Sequence, residues 1–420
     1  MKILVFGSCN IDTTYGVQHI VQAGESQAAT SVSRFPGGKG LNQAIALARA
    51  GIPCCFAGCI GRDGAMLKSV MQQDHIDVRY VKESGAMSGQ AVIQLDAHGE
   101  NAILAYPGAN GEVTTEYIDQ VLSHFEKGDM LLVQNEISNT VYLIDKAAEL
   151  GMKIVLNPSP MSGELKRIDL RKVSWMVMNE TDAIRWVGAD RPYDFLLYAT
   201  ERYKDLQVIL TLGKRGSIVL YRGKIYRQFA YTVKAVDVTA AGDTFTGYFL
   251  AGMCREEGVE TALQYASAAA ALTVSAKGAA VSIPRLSEVQ EALALLKPDL
   301  MEDSKEKERL LKAYIACNIT DVNLKELSLL LGFTVPHTSR WIKKTFGVTL
   351  SEYIQNVRCA KAAELLTESN LPVSEIACNV GYQNETFFRT LFLKRYGVLP
   401  REYRKAVKQR EEAEAEQKRA

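Results

Sequence analysis

Secondary-structure periodicity changes near residue 297, and this change constrains the possible folds more than any other feature of the sequence. Before it, short β-branched runs alternate with helical patterns, which predicts a doubly wound, mostly parallel α/β sheet with helices on both faces. The predicted strands are Lys2–Phe6, Cys54–Gly58, Met130–Gln134, Lys153–Leu156, Trp175–Met178 and Val208–Leu212. Beyond it the pattern is helical only. We therefore expect an α/β domain at residues 1–297 and an all-α domain at residues 309–405.

Two stretches of the first domain do not resemble buried strands. Ser26–Phe35 and Gly89–Ala105 carry polar and apolar residues in turn. Such alternation is typical of half-exposed strands. We expect these stretches to form a small β lid that projects from the main sheet.

The segment between the two predicted domains, residues 298–308, begins with a proline and continues with dense charge, which favours a linker entering a helix. Residues 305–420 hold 20 Lys and Arg against 14 Asp and Glu, a net +6. The remainder holds 29 against 34, a net −5. A basic C-terminal part favours a polyanion partner, and residues 406–420 are assigned to a charged tail.

Several classes of protein are excluded by composition. No apolar run approaches the 18 or so residues that a membrane helix needs. The apolar stretch at Met1–Gly7 is too short for a signal peptide, and the eight cysteines show no paired C-x-x-C zinc spacing. We expect a cytoplasmic protein without a membrane partner.

Small residues precede a helical pattern at Ala240-Ala241-Gly242-Asp243. The unpaired N–H groups of a helix start attract an anion, and small residues let the backbone approach it closely. A carboxylate there repels phosphate but is well placed to accept a proton from an attacking hydroxyl. We therefore predict that Asp243 is a general base beside an anion hole. Taken alone, the pattern also fits an aspartate that caps a helix.

Other polar groups are predicted to converge on the same crevice. A second glycine cluster, Gly37–Asn42, precedes an amphipathic helix and is suited to holding a polyhydroxylated ligand. Asn10 and Asp12 follow the first predicted strand, and Glu136 follows Met130–Gln134. Ligands of open α/β sheets bind at the carboxyl ends of the strands, which is where these residues lie.

Residues 1–297 resemble the ribokinase/PfkB family of carbohydrate kinases. The resemblance is carried, in the order and spacing of that family, by Gly37-Gly38-Lys39-Gly40-Leu41-Asn42, Asn179-Glu180-Thr181-Asp182, Thr211-Leu212-Gly213-Lys214-Arg215-Gly216 and Asp237 to Asp243. It implies a ribokinase-like fold, ATP and Mg²⁺ as cofactors, and Asp243 as the base that deprotonates a sugar hydroxyl. It also implies that the Ala240-Ala241-Gly242 turn stabilises the charge on the transferring phosphoryl group.

The resemblance also implies three sets of binding residues. The sugar is held by Asn10, Asp12, Gly38, Lys39, Asn42 and Glu136. ATP is surrounded by Asn179, Thr211, Gly213, Gly216, Gly242 and Ser267. A monovalent cation (K⁺) is held near Asp237, Thr239, Thr273, Ala276, Gly278 and Ser282, and Asp182 is included among the metal-binding residues. The family usually has Glu at Asp182, a small residue at Tyr248, and often His or Asn at Ser267.

The motifs around Asn10 and Gly38 are closer to ribokinase than to the fructokinase or adenosine kinase branches. A pentofuranose such as ribose or deoxyribose is therefore the expected substrate, phosphorylated to its 5-phosphate. A nucleoside or a hexose is the alternative.

Residues 309–405 contain a duplicated pattern with a spacing of about 50 residues. Lys325-Glu326-Leu327-Ser328, Gly332-Phe333 and Phe346-Gly347-Val348 parallel Ser374-Glu375-Ile376-Ala377, Gly381-Tyr382 and Tyr396-Gly397-Val398. Each copy predicts a helix, a glycine turn and a second helix. Two such units, joined by the helix around Tyr353–Leu366, are suited to successive major grooves of double-stranded DNA. A plain helical bundle is the alternative for one unit alone.

The same segment resembles the AraC-family DNA-binding domain, most closely over residues 373–404. By position, the resemblance implies DNA contacts from His337, Ser339, Arg340, Lys343, Asn384, Thr386 and Arg389. Two function classes remain open: a sugar kinase that also regulates transcription in response to sugar, and a transcription factor whose kinase fold only senses sugar or nucleotide. We also expect a homodimer.

Overall fold

The protein is described by a computed structural model that covers residues 1–96, 98, 101–188, 192–299 and 304–417. The chain divides near residue 301 into two compact units. Residues 300–303, part of the segment assigned to the linker, and residues 418–420 of the assigned tail lie outside the described residues. Within the described part, no helix combines the length and apolar character that crossing a membrane requires.

A nine-stranded sheet forms the centre of the first unit. In spatial order it contains β13 (Lys224–Gln228), β12 (Ser217–Tyr221), β11 (Gln207–Thr211), β10 (Trp175–Asn179), β9 (Lys153–Asn157), β8 (Met130–Gln134), β1 (Ile3–Phe6), β4 (Cys55–Ile60) and β5 (Asp77–Glu83). The strands from β11 to β5 pair in parallel, whereas β11 and β12 pair antiparallel. The predicted mostly parallel sheet is confirmed. The six strands with predicted bounds, β1, β4 and β8 to β11, begin and end within two residues of them, whereas β5, β12 and β13 were not predicted.

The direction of sheet growth reverses at β1, which pairs with β4 on one side and β8 on the other. At such a reversal the connections leave in opposite directions, and a crevice opens beyond the carboxyl ends of the strands. Ser8, Glu136 and Asn179 therefore lie along one edge of the sheet.

A second sheet of four strands corresponds to the predicted lid. Its order is β3 (Ser31–Gly37), β2 (Asn10–Gly16), β6 (Gly89–Leu95) and β7 (Asn101–Tyr106). The stretch expected as Gly89–Ala105 is an antiparallel hairpin whose connection includes residues 97, 99 and 100, outside the described residues. The strand expected from Ser26 begins at Ser31.

The helices of the first unit are α1 (Lys39–Arg49), α2 (Ala65–Gln73), α3 (Thr115–Leu122), α4 (Thr140–Glu149), α5 (Glu180–Val187), α6 (Asp194–Arg202), α7 (Ala241–Cys254), α8 (Val259–Val274) and α9 (Leu286–Leu293). Helix α7 is apolar on most of its surface and packs against both α1 and α8. A Cβ at Gly247 would lie 2.4 Å from Ala46 Cβ, so this glycine allows α7 to approach α1 closely. Tyr248, where the family usually has a small residue, is buried and donates to Pro284 O at 2.7 Å.

The end of the first unit pairs with an internal segment. Tyr231 and Pro298 form an isolated antiparallel bridge. Thr232 N donates to Lys297 O at 3.0 Å, and Asp299 N donates to Ala230 O at 2.7 Å. The first residues of the assigned linker are thus part of the folded unit.

The second unit is helical: α10 (Ser304–Cys317), α11 (Leu324–Leu331), α12 (Val335–Phe346), α13 (Leu350–Glu368), α14 (Val373–Asn379), α15 (Glu385–Tyr396) and α16 (Pro400–Gln417). Helices α11 and α12 and helices α14 and α15 form the two predicted pairs. Gly332, with φ of 69°, ends α11 in the left-handed conformation that favours glycine. Leu327, Ile376 and Phe388 are fully buried.

Candidate functional site

A cleft of about 800 Å³ lies at the carboxyl ends of the central strands. One side is formed by the loop after β1 and the start of α1, another by the ends of β8 to β11, and a third by residues 238–246. Ala91, Ile93, Ile103 and Ala105 of the small sheet also line it. The lid therefore contributes one apolar wall to the cleft.

Asp243 lies in the first turn of α7, with its side chain buried at 7% exposure. The turn before it contains Ala240 at φ 61°, a left-handed conformation that is uncommon for a residue other than glycine. Ala240, Ala241 and Gly242 all line the cleft, and a Cβ at Gly242 would meet no other atom within 4 Å. The start of α7 thus places the turn Ala240–Gly242 in the cleft beside a buried carboxylate, and Ala241 N donates to Val238 O at 3.4 Å.

Two amides of α1 hold the Asp243 carboxylate. Asn42 Nδ2 donates to Asp243 Oδ2 at 3.0 Å, and Gln43 Nε2 donates to Asp243 Oδ1 at 2.8 Å. Asn42 Oδ1 is buried and has no hydrogen-bond partner among the described residues. Asn42 therefore contacts the base with its nitrogen and keeps an acceptor for a ligand.

Glu136 lies between the loop after β1 and the start of α1. Its Oε2 accepts from the Ser8 hydroxyl and from Lys39 N, the latter at 3.2 Å. Burial raises the pKa of Glu136, while the Lys39 ammonium opposes that shift. The carboxylates of Asp243, Glu136 and Asp182 raise the pKa of Lys39. Lys39 is thus a cation that offsets part of a strongly acidic site.

Asp12 is 8% exposed on β2, and its Oδ1 has no hydrogen-bond partner among the described residues. Burial, reinforced by the nearby carboxylates of Glu136, Asp243 and Asp237, raises its pKa to about 7. A buried carboxylate oxygen without a donor is unfavourable. Hydroxyl donors of a polyol would satisfy it.

Asn10 is oriented by a residue that the sequence analysis did not single out. Asn110 Nδ2 donates to Asn10 Oδ1 at 2.8 Å, and Asn110 Oδ1 accepts from Cys9 N at 3.0 Å. The nitrogen end of the Asn10 amide is therefore free to donate into the cleft. Asn110 comes a hundred residues later in the chain, where the sequence shows only a glycine turn.

The ends of β10 and β11 form the far side of the cleft. Asn179 Oδ1 accepts from Asp182 N at 2.9 Å and so caps α5, and Asp182 accepts from the Ser159 hydroxyl. Arg215 pairs with the carboxylate of Glu180. Thr211 and Gly213 line the cleft together with Asn179, whereas Gly216 and Ser267 lie outside its lining.

Two loops of the predicted cation site approach each other at Asp237. Asp237 Oδ1 accepts from Thr239 N at 3.0 Å and from Thr239 Oγ1 at 2.7 Å. Asp237 Oδ2 accepts from Gly278 N at 3.0 Å. Thr273 is buried and bonds Thr244, and Ser282 Oγ donates to Ala279 O at 2.8 Å. Thr239 is the member of this predicted set that lines the cleft. The others lie outside the cleft lining: Asp237, Thr273, Ala276, Gly278 and Ser282.

The structure brings every predicted sugar-binding and catalytic residue to one cleft. These are Asn10, Asp12, Gly38, Lys39, Asn42, Glu136, Ala240, Ala241, Gly242 and Asp243. Sequence reasoning missed Asn110, Gln43, Gln134, Asn157 and Ser159. Asn157 and Ser159 follow β9 and line the cleft, and their place at a strand end was a usable signal.

In the second unit, the helices that end each helix-turn-helix present polar surfaces. His337, Ser339, Arg340 and Lys343 of α12 are exposed, as are Asn384 and Thr386 at the start of α15. Arg389 is partly exposed and pairs with Glu385 at 2.5 Å. Asn384 Oδ1 accepts from Phe387 N at 3.0 Å and so caps α15.

Residues 1–286 match the family described as pfkB family carbohydrate kinase. The chain belongs to this family. A ribokinase of Haemophilus influenzae is 34% identical to this pfkB kinase over 303 residues, which cover 69% of the chain and 98% of the relative. The predicted sugar kinase is thereby confirmed.

Solved structures agree with this assignment. A ribokinase of Cryptococcus neoformans in complex with ADP is 32% identical, has a TM-score of 0.62 and covers 69% of the pfkB chain and 99% of its own. An Arabidopsis thaliana ribokinase in complex with ribose and ATP is 27% identical, with a TM-score of 0.60 and coverage of 70% and 98%.

Residues 310–406 match a family described as a helix-turn-helix domain. The pfkB kinase therefore carries an AraC-type helix-turn-helix domain at its C-terminal side, and the predicted combination of the two domains is confirmed.

Proposed function

We propose that residues 1–297 transfer the γ-phosphoryl group of ATP to the primary hydroxyl of a sugar. The observation that carries this proposal is the position of Asp243. Its carboxylate lies at the start of α7, next to the Ala240–Gly242 turn and in the same cleft as Asn10, Asp12 and Glu136. A proton acceptor and an anion site are thus adjacent, as transfer from ATP to a hydroxyl requires.

In the proposed reaction the sugar is held by Asn10, Asp12, Gly38, Lys39, Asn42 and Glu136. Asp243 takes the hydroxyl proton while the new O–P bond forms and the bond from the γ-phosphorus to the ADP oxygen breaks. N–H groups of Ala240, Ala241 and Gly242 stabilise the charge on the transferring group. Catalysis therefore rests on positioning and electrostatics, and no covalent nucleophile is needed.

The Asp243→Asn variant tests this proposal. We expect kcat to fall at least about 100-fold, the low end of general-base effects, because the amide cannot accept the proton. ATP consumption should be measured with a panel of pentoses, hexoses and nucleosides in the presence of Mg²⁺ and K⁺. Comparable turnover in the wild type and the variant would contradict the assignment of the base.

ATP is assigned to the side of the cleft that is formed by Asn179, Thr211, Gly213 and Gly242. Gly216 and Ser267 are also assigned to ATP binding and lie outside the cleft lining. The relatives solved with ADP or ATP support this nucleotide. Mg²⁺ is typically held by substrate phosphates and one or two carboxylates. Asp182, in the first turn of α5, offers such a carboxylate. When bound, Mg²⁺ neutralises charge on the phosphates.

The loops that meet at Asp237 fit a monovalent cation such as K⁺. Among the described residues, no group of three or more His, Cys, Asp or Glu side chains is close enough to hold a metal. Backbone and hydroxyl oxygens around Thr239, Ala276, Gly278 and Ser282 are therefore the donors on offer, and oxygen donors suit a hard cation. Asp237 and Thr273 belong to the same proposed set of cation-binding residues.

A pentose such as ribose or deoxyribose is our proposed substrate. The cleft offers several buried polar side chains close together and a small apolar wall, which suits a compact polyol. The ribokinase relatives support this class, and the Arabidopsis enzyme was solved with ribose. A nucleoside or hexose is the alternative that the substrate panel separates.

Residues 309–405 are proposed to bind double-stranded DNA through α12 and α15. Each follows a short helix and a tight turn, and each exposes polar or basic side chains alongside apolar ones such as Val335 of α12 and Phe387 of α15. Helix-turn-helix domains place the second helix in the major groove. The proposed contacts come from His337, Ser339, Arg340, Lys343, Asn384, Thr386 and Arg389.

We further propose that sugar or nucleotide binding changes DNA affinity. The support is the pairing of Lys297–Asp299 with Ala230–Thr232. The latter segment leads directly into Asp237 and the anion-binding turn, and the former leads into the DNA-binding domain. If ligand binding shifts the anion-binding turn, the shift can reach the linker through the short segment before Asp237 and its hydrogen bonds to Lys297–Asp299. A sensor without kinase activity is the alternative function.

A homodimer is proposed through the outer face of the small sheet. Val92, Leu104 and Tyr106 alternate with the residues that line the cleft, so they lie on the opposite face. They are 36%, 73% and 56% exposed. Such an exposed apolar surface is suited to a second copy of the chain.

A further inference from the structure

Two glutamines connect the middle of the central sheet to Asp243. Gln43 lies on α1 and Gln134 ends β8, and both side chains are fully buried at 0% exposure. Gln134 Nε2 donates to Gln43 Oε1 at 2.6 Å, and Gln43 Nε2 donates to Asp243 Oδ1 at 2.8 Å. A continuous chain of hydrogen bonds therefore joins three elements that are distant in sequence.

The orientation of the Gln43 amide between its two partners is fixed by Gln134. A primary amide has a donor end and an acceptor end. Because Gln134 donates to the oxygen of Gln43, the nitrogen of Gln43 faces the Asp243 carboxylate. With the Gln43 amide reversed, its oxygen would face that carboxylate and repel it.

Packing alone does not explain a glutamine at position 134. The other four residues of β8 are buried and apolar, as expected for a strand covered on both faces. Gln134 Oε1 is buried without a hydrogen-bond partner among the described residues, which is unfavourable. A Cβ at Gly7 would lie 2.0 Å from this oxygen, so the neighbouring strand end leaves room for the amide. An apolar side chain would fit this core better.

We propose that Gln43 and Gln134 are positioning residues for phosphoryl transfer. Gln134 orients Gln43, and Gln43 holds the Asp243 carboxylate in one rotamer. Asn42 bonds the other carboxylate oxygen but lines the cleft, where ligands compete for it. Gln43 does not line the cleft, so its bond is independent of the ligand. This inference rests on the proposed role of Asp243 as general base.

Replacement of either glutamine by methionine conserves volume and removes the hydrogen bond. We expect Gln43→Met to lower kcat about 10-fold or more, with little change in the KM for the sugar, because a hydrogen bond to a charged group is lost. Asp12, Lys39 and Glu136, the other charged groups facing Asp243, are unchanged in the variant.

Gln134→Met should reproduce this pattern in weaker form, and the double variant should be no worse than Gln43→Met, because the two residues act in series. Gln134→Glu keeps the volume and tests the orientation directly. When protonated, the introduced carboxyl can still donate to Gln43 Oε1. Once ionised, it accepts only and favours the reversed Gln43 amide, so activity should decline as the pH rises.

Tyr117→Phe is the matched control. The Tyr117 hydroxyl is buried and bonds Gly58 N at 3.0 Å, away from the cleft lining. The variant loses buried hydrogen bonds and should unfold at lower temperature while its kcat stays within twofold of wild type. A kcat for Gln43→Met within twofold of wild type would overturn the inference. If Asp243→Asn itself kept full turnover, the proposed base would fail instead.

Discussion

Asp12 shows what the site does to a single carboxyl group. Its pKa is raised from 3.8 to about 7 by burial and by neighbouring carboxylates, whereas the unfolded chain restores the ordinary value. The folded protein binds this proton more tightly, so the contribution of Asp12 to stability is complete below about pH 4 and is lost as the pH rises through 7. The protein without sugar therefore tolerates an ionised Asp12 at the expense of stability.

Asp12→Asn should remove this pH dependence. We expect the Tm of the variant minus the Tm of the wild type to be higher at pH 8 than at pH 4.5, by at least about 2 °C. Differential scanning calorimetry without sugar measures it, and Asp205→Asn, at an exposed aspartate, is the control. An equal difference at both pH values would show that Asp12 is not the group responsible.

At the same scale, Asp243 was singled out as a candidate base, whereas its partner Gln43 was not. The small residues before the helix start also fit an aspartate that caps a helix, so the proposed role of Asp243 depended on the family resemblance as well. Gln43 and Gln134 contact it or each other across separations of 200 and 91 residues. A glutamine in a sequence is usually exposed. Only the packing of α1 against β8 and α7 shows that these two are buried and paired.

At the scale of elements, Gly247 sets the distance between α7 and α1. A Cβ there would lie 2.4 Å from Ala46 Cβ, so Gly247→Ala must push the helices apart. Asp243 is one turn away, and Asn42 and Gln43 lie on the facing helix. We expect kcat to fall roughly 100-fold, as for a displacement of about 1 Å at a reacting group.

Gly252→Ala provides the comparison within the same helix. Its Cβ would lie 2.8 Å from Ala262 Cβ, on the side facing α8 and farther from the cleft. This variant should lose stability but keep most of its kcat. Steady-state kinetics and thermal unfolding of both variants would distinguish the two effects, and equal kinetic losses would contradict the role given to the α1–α7 distance.

Elements with a strong local pattern were predicted well. Strands β1, β4 and β8 to β11 were predicted because most of their residues are apolar, as expected for strands covered on both faces. The helix before the Gly332 turn was predicted from the duplicated pattern. The lid was predicted less well: its second stretch is two strands, because alternation alone does not mark where a hairpin turns. The pairing of Tyr231 with Pro298 has no local pattern at all.

The recognition helices carry the next prediction. Residues 305–420 should bind duplex DNA with a steep dependence on salt, because phosphate neutralisation releases counterions. Arg389→Ala should weaken binding and reduce the slope of log K against log salt by about 1 if it contacts phosphate. Fluorescence anisotropy of labelled duplex DNA over a salt series tests this. For the substitution, Arg389→Ala is compared with the control Arg79→Ala, both in the intact chain. Lack of affinity for every promoter fragment at low salt would contradict the DNA-binding role.

At the scale of the whole molecule, the two proposed activities must be linked reciprocally if they are linked at all. Sugar that changes operator affinity by a given factor requires operator DNA to change sugar affinity by the same factor, typically 5- to 150-fold for about 1 to 3 kcal/mol. Titrations in the Asp243→Asn protein avoid consumption of the ligand. If each ligand binds with the same affinity in the presence of the other, the two domains are merely tethered.

Because Lys297–Asp299 pairs with Ala230–Thr232, the position at which a protease or a stop codon separates the two domains affects the kinase domain itself. Cleavage before Lys297 would remove the carbonyl that Thr232 N bonds and the N–H that Ala230 O bonds, and would expose Tyr231. The damage would fall on the segment that leads to the anion-binding turn. A kinase fragment released in this way would lose activity for a reason unrelated to DNA, whereas one that retains Asp299 would report on the kinase alone.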